Sequence, residues 1–180
     1  MDPDQTLAFT PIDHPDPRVH RIGFDLTHPY VEQCWSAVVG PSSTLLLRRI
    51  STLWMESVPA RIEAAELSRS LGLGAGVGER SRLANTLSRL TQFGLAKTST
   101  YGEGLDVYRQ IAPLGSRQLA RVPEWTRTTH EQLFGHHLEQ IENLDQHRSS
   151  VATMSARLDR LQFSQQSSNA LQHPGQAIEL

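Results

Sequence analysis

Apolar residues recur at intervals of three and four along most of this chain, the period of an amphipathic helix. TLLLRRISTLWMESV (residues 44–58) puts Leu46, Ile50, Leu53 and Trp54 on one face and stops before Pro59. This predicts a helix with one side in a core, capped by Ser42 or Ser43. Ahead of it, THPYVEQCWSAVVG carries Tyr30, Cys34, Trp35 and Val38 as a stripe. Thr27 is the candidate N-cap there, Pro29 falls in the first turn, and Gly40-Pro41 is the stop. EAAELSRSLGL predicts a third helix with Ala65, Leu67 and Leu71. A fourth, over residues 79–93, lines up Leu83, Leu87 and Leu90 and ends at Gly94.

Beyond Gly94 the period changes. Val107, Arg109 and Ile111 alternate, predicting two short strands around Ala96–Ser99 and Leu105–Ile111, turned at Tyr101-Gly102-Glu103-Gly104. PLGSRQLARV is a further short helix ending before Pro123. A long helix is expected from Thr128 or Thr129 to about Leu161. In it His137, Leu144, Val151 and Leu158 stand one heptad apart, with Phe134 and Ile141 as apolar companions. Arg148 and Ser155 break the companion series, so only the first half is expected to pack strongly. No internal repeat is present. The division expected is a mobile, proline-rich arm over 1–21, an N-terminal helix within 22–41, a domain over 42–122, a C-terminal helix over 123–162 and a disordered tail over 163–180.

The length, 180 residues, suits one domain with tails. Cys34 is the only cysteine, so no internal disulfide can form, and its apolar neighbours suggest a buried structural thiol in a reducing compartment. No apolar stretch is long enough for a bilayer, and MDPDQTLAFTPID is an unsuitable start for a secretory or transit signal; a cytoplasmic location is expected. Net charge is −2, but its distribution is uneven. Residues 42–121 hold eleven Lys or Arg against six Asp or Glu, and the flanks hold six against thirteen. A basic middle between acidic arms suits a local polyanion site; an uneven scatter of surface charge is the alternative.

Four glycines at every second position, Gly72 to Gly78, precede the fourth helix. A P-loop needs Lys and then Ser or Thr after its last glycine, but Glu79, Arg80 and Ser81 follow Gly78. The dinucleotide fingerprint fails in both frames, because Val77 and Glu79 stand where its third glycine belongs and helix rather than strand comes before. Signatures of nucleophilic, metal-dependent and paired-carboxylate catalysis are missing, so no enzyme activity and no cofactor are expected. His130, His136 and His137 accompany Glu131 and Glu139. His130 and His137 share a face two turns apart, which suits helix polarity or a dimer contact better than zinc or a pH sensor. Trp35, Trp54 and Trp125 are expected as core or interface anchors.

The order helix, helix, joint, helix, β-ribbon, helix over residues 44–121 resembles the winged helix-turn-helix of MarR-type bacterial transcription regulators. AAELSRSLGL is similar to the family's first helix-turn-helix helix, LANTLSRLTQFGLA to its recognition helix and exit, and IAPLGSRQLARV to the strand entering its next helix. The similarity spans under half the chain. It implies a mainly α protein with a small β-ribbon and flanking dimerisation helices, Tyr30 to Val39 and Thr129 to Leu161. It also implies a homodimer that binds double-stranded DNA, with room for a small-molecule effector.

On that plan Arg80, Ser81, Arg82, Asn85, Thr86 and Arg89 would face the major groove, where Arg pairs with guanine and Asn with adenine. Ser43, Arg48 and Arg69, with Lys97 and Arg109 in the wing, would hold phosphates. The glycine run becomes a loose joint before the recognition helix. Three features depart from the family: the joint is long, Glu103 sits at the wing tip, and Glu79 stands where a phosphate would approach. A winged-helix protein-interaction adaptor that binds no DNA is the alternative.

Overall fold

The computed structural model describes residues 5–172 apart from 77, 100, 101 and 103, with side chains to residue 158 and at 160. It is mixed α/β, mainly helical with a small sheet. The wing-tip residues Tyr101 and Glu103, and residues 173–180 of the expected tail, lie outside the described residues. The described chain divides into two compact units, one through His137 and one from Leu138 onward. Among the described residues no helix is long and apolar enough to cross a membrane.

The first departure from expectation is at the start of the chain. β1 (Thr6–Ile12) is a strand where a mobile arm is expected. Leu7 and Phe9, two apart, are both buried, at 2% and 0% exposed. β1 pairs antiparallel with β3 (Ala60–Glu63) and parallel with β5 (Gly104–Tyr108), and β5 pairs antiparallel with β4 (Ala96–Thr98). The sheet order is therefore β3–β1–β5–β4. The prolines mislead because they flank the two buried side chains without interrupting them; Pro11 still takes its place opposite Val107. Trp54 secures the strand further, its Nε1 donating to the Phe9 carbonyl at 2.9 Å.

Between β1 and the main helices run α1 (Pro17–Ile22) and β2 (Phe24–Asp25), which pairs with β6 (Gln110–Ile111). A π-helical turn over Val31–Trp35 leads into α2 (Ser36–Val39). Here His28 does the capping rather than Thr27: its Nδ1 accepts the N–H of Tyr30 at 3.1 Å. Tyr30, Val31, Cys34, Trp35 and Val39 are all buried in the chain's own core. The stripe expected at a dimer interface is thus used internally, and Tyr30 to Val39 is a core element.

α3 (Pro41–Leu53) follows without a loop. Gly40, at φ 84°, is the N-cap and Pro41 the first helical residue, so Gly40-Pro41 ends one helix and begins the next. Ser42 and Ser43 lie inside the first turn and neither caps it. Leu46, Leu47 and Ile50 are fully buried. α4 (Ala64–Ser70) and α5 (Arg82–Gln92) then add Leu67, Leu83 and Leu90, each 0% exposed.

Both of these helices stop in the same way. Gly72 N–H returns to Arg69 O at 2.9 Å and Leu73 N–H to Ser68 O at 2.9 Å; Gly94 returns to Thr91 at 3.1 Å and Leu95 to Leu90 at 2.8 Å. These are Schellman motifs, with glycines at φ 69° and 68° in the left-handed conformation that such a stop requires. The Ser68 hydroxyl also donates to Gly74 O at 2.6 Å. The first half of the glycine run is therefore a bonded helix terminus, not a loose joint.

α6 (Ser116–Leu119) is a single turn, and α7 runs over Glu124–Gln172, starting earlier and ending later than expected. In the first unit Thr126, Thr129 and His130 of α7 are buried, and Leu133 and Phe134 pack on the core. In the second unit Leu144, Val151 and Leu158 are 48–58% exposed. Packing does fade after the first half. Trp35 is buried and its Nε1 donates to Ala112 O at 3.0 Å, but Trp125 is 64% exposed and is no core anchor.

Candidate nucleic-acid interface

α5 presents the residues expected to read DNA, and their neighbours decide which are available. Ser81 is the helix N-cap, its Oγ accepting the Ala84 N–H at 3.1 Å, so its hydroxyl is already engaged. Leu83, Leu87 and Leu90 lie against the core. Thr86 shares that side: it is 4% exposed and its Oγ1 donates to Arg82 O at 2.7 Å. It therefore cannot meet a base edge. Arg82 and Asn85, one turn apart, are exposed.

Arg89 has a structural task. Its Nε donates to Val39 O at 2.8 Å and Nη2 to Val38 O at 3.2 Å, closing the carboxyl end of α2, and the guanidinium lies 5.5 Å from the Phe93 ring centroid. This bond sets α5 beside the amino end of α3. Between them lies a groove of about 330 Å³ lined by Gly40, Pro41, Ser42, Ser43, Arg82, Asn85 and Arg89 among others, with no carboxylate in its wall.

The expected phosphate holders are less uniform. Ser43 is only 1% exposed and lines that groove, so only a group that enters the groove can reach it. Arg48 is half-buried, bonded to Thr27 O at 3.1 Å and paired with Glu32 at 3.1 Å. Arg69 pairs with Glu66 at 3.1 Å, and Arg109 lies 3.9 Å from Asp13. Lys97 is exposed, 5.7 Å from the Tyr108 ring centroid, and Arg80 is exposed just before the helix cap. Surface pairs of this kind are weak and exchangeable, so Arg69 and Arg109 remain accessible to a polyanion. Arg48, turned onto a main-chain carbonyl, is less so.

Other polar clusters have different surroundings. Phe24 stacks on Tyr30 with ring centroids 3.9 Å apart and touches His28 and His137 at 4.8 and 4.4 Å. Burial lowers the pKa of His28, reinforced by His137 and opposed by Asp25; burial also lowers that of His130. These histidines are aromatic packing elements. Among the described residues no three His, Cys, Asp or Glu side chains gather as a metal would need. Cys34 is buried, and burial pushes its thiol up to about 11, which suits an inert structural side chain.

The sequence pattern missed the main-chain acceptors that bind Arg89 and Arg48, since carbonyls carry no residue-type signal. Comparison with family models, with curated proteins and with solved structures returns no match.

Proposed function

We propose that this chain is a sequence-specific DNA-binding transcriptional regulator of winged helix-turn-helix type, non-catalytic and cytoplasmic, acting as a homodimer. The observation that carries this is the arrangement of α5. Its leucines are buried, while Arg82 and Asn85 stand exposed on the same groove and the β4–β5 ribbon follows directly. Arg82 is suited to guanine and Asn85 to adenine, with Arg80, Lys97, Arg69 and Arg109 contacting phosphates around them. The excess of basic residues over 42–121 supports this use of the region. A pair of chains joined along Leu144, Val151 and Leu158 of α7 would offer two such helices to half-sites about one duplex turn apart.

The test is binding of a random-sequence duplex pool, measured by fluorescence anisotropy at low and near-physiological salt, with the bound fraction sequenced. Salt-sensitive binding that enriches a palindrome is the expected result. Absence of binding at low salt would overturn the proposal.

A second reading, an adaptor that docks a protein, is favoured by the exposed apolar side chains Met55, Val58 and Trp125, at 87%, 59% and 64%. Association through these would persist at high salt, which separates the two.

A further inference from the structure

The amino end of α3 carries features that DNA reading by α5 does not use. The helix has thirteen residues, no side chain caps it, and its first residue, Pro41, has no N–H. The first intrahelical bond is Thr44 N–H to Gly40 O at 3.2 Å. The N–H groups of Ser42 and Ser43 thus precede any intrahelical acceptor. Ser42 and Ser43 line the groove together with Arg82 and Asn85.

A second observation is independent of the helix end. Ser43 lines this groove at 1% exposure, and its Oγ is the one buried side-chain oxygen among the described residues with no hydrogen-bond partner. The carbonyl four residues back, which a serine inside a helix takes as acceptor, is not available in helical geometry here, because Val39 precedes the Gly40 cap; its oxygen accepts from Arg89 at 2.8 Å instead. A buried hydroxyl without a partner is costly, and Ser43 Oγ lacks one among the chain's own groups. Arg89, held by the Val38 and Val39 carbonyls, adds a guanidinium to the wall.

From these groups we infer that the groove is a binding site for a phosphate-type oxyanion. Its ligands are the N–H groups of Ser42 and Ser43, the Ser43 hydroxyl, and the side chains of Arg82 and Asn85. All of them donate hydrogen bonds, and a tetrahedral anion at an uncapped helix N-terminus meets both the free N–H groups and the positive end of the dipole. The occupant is either a free phosphate compound or a phosphate of a nucleic-acid backbone. The site itself does not depend on the chain reading DNA.

The experiment is calorimetric titration of the full chain with inorganic phosphate at fixed ionic strength. Wild type is expected to bind saturably at one site, and Arg82→Ala and Ser43→Ala should each weaken binding roughly tenfold, the scale of one hydrogen bond to a charged group. Arg117→Ala, outside the groove, should bind as wild type does. Ser43→Ala removes an unsatisfied hydroxyl, so it should fold at least as well as wild type, which keeps a loss of binding interpretable.

No saturable binding by wild type, or binding unchanged in both groove variants, overturns the inference. A duplex read through Arg82 and Asn85 displaces phosphate held by the same side chains, so Ser43→Ala, outside base reading, separates the sources. Duplex affinity that falls together with phosphate affinity identifies the backbone as the occupant, and duplex affinity that this change leaves intact identifies a free anion; either supports the site. Phosphate binding without any DNA binding would leave the site standing and remove the DNA proposal, and the converse would do the reverse.

Discussion

Tyr30 Oη lies 2.6 Å from His130 Nδ1 and accepts the N–H of Leu114 at 2.8 Å, joining three segments distant in sequence at one buried oxygen. One proton, carried by the phenol or by Nδ1, bridges Tyr30 and His130, while the Leu114 N–H takes a lone pair of the same oxygen. Burial raises the Tyr30 pKa and lowers that of His130, so both are held in their uncharged forms. Tyr30→Phe preserves the stack on Phe24 but orphans a main-chain donor and a ring nitrogen. It should lose about 1–3 kcal/mol in urea unfolding, with no change in Trp35 burial.

Stability should fall on mild acidification. Burial holds the folded-state pKa values of His28 and His130 below the ordinary histidine value of about 6.5. Between the folded and unfolded values the unfolded chain binds more protons, so stability is full above about pH 6.5 and declines as pH drops to the folded values. Urea midpoints from pH 8 to pH 5 test this, and His130→Phe should flatten the decline. A midpoint that rises on acidification would contradict it.

Gly104 has φ 148°, and a Cβ placed on it would lie 1.8 Å from the carbonyl oxygen of Ala8. Neither backbone can yield without opening the β1–β5 ladder. Gly104→Ala should therefore cost about 3 kcal/mol or more. Hydrogen exchange would show the loss first at β1 amides.

Arg89 should matter to stability in the absence of any ligand. Its fork onto Val38 O and Val39 O is a geometry that lysine cannot copy. Arg89→Lys and Arg89→Ala should both lower stability by about 1 kcal/mol. Unchanged melting in both would mean that the side chain is free to act elsewhere.

Specificity is expected to rest on Arg82 and Asn85. Each alanine variant should lose about 1–3 kcal/mol of discrimination at one base position while keeping most salt-dependent binding. Sequencing of duplexes bound by each variant gives the position directly.

A charge in the apolar stripe of the second unit should separate two copies. Leu144, Val151 and Leu158 are 58%, 48% and 58% exposed within one chain. Val151→Glu should turn a dimer into a monomer in sedimentation without loss of helicity, since that side chain is already half exposed within one chain.

The helices were legible because their signal is local. Leu83, Leu87 and Leu90 repeat within one short segment, and Gly94 marks its stop by a conformation only glycine takes easily. The buried thiol of Cys34 and the ribbon after α5 were legible for similar reasons of neighbourhood. The place of β1 was not. Thr6 pairs with Glu63 and Ala8 with Gly104, partners too far along the chain for any window to link, and two buried residues among prolines make too short an alternation. The same distance governs the site. Sequence alone put Arg82, Asn85 and Arg89 on one helix. Only the fold brought Val38 and Val39 carbonyls to Arg89, took Thr86 into the core and left Ser43 without a partner, because hydrogen-bond acceptors on the main chain are the same for every residue and acquire meaning only from where the chain returns.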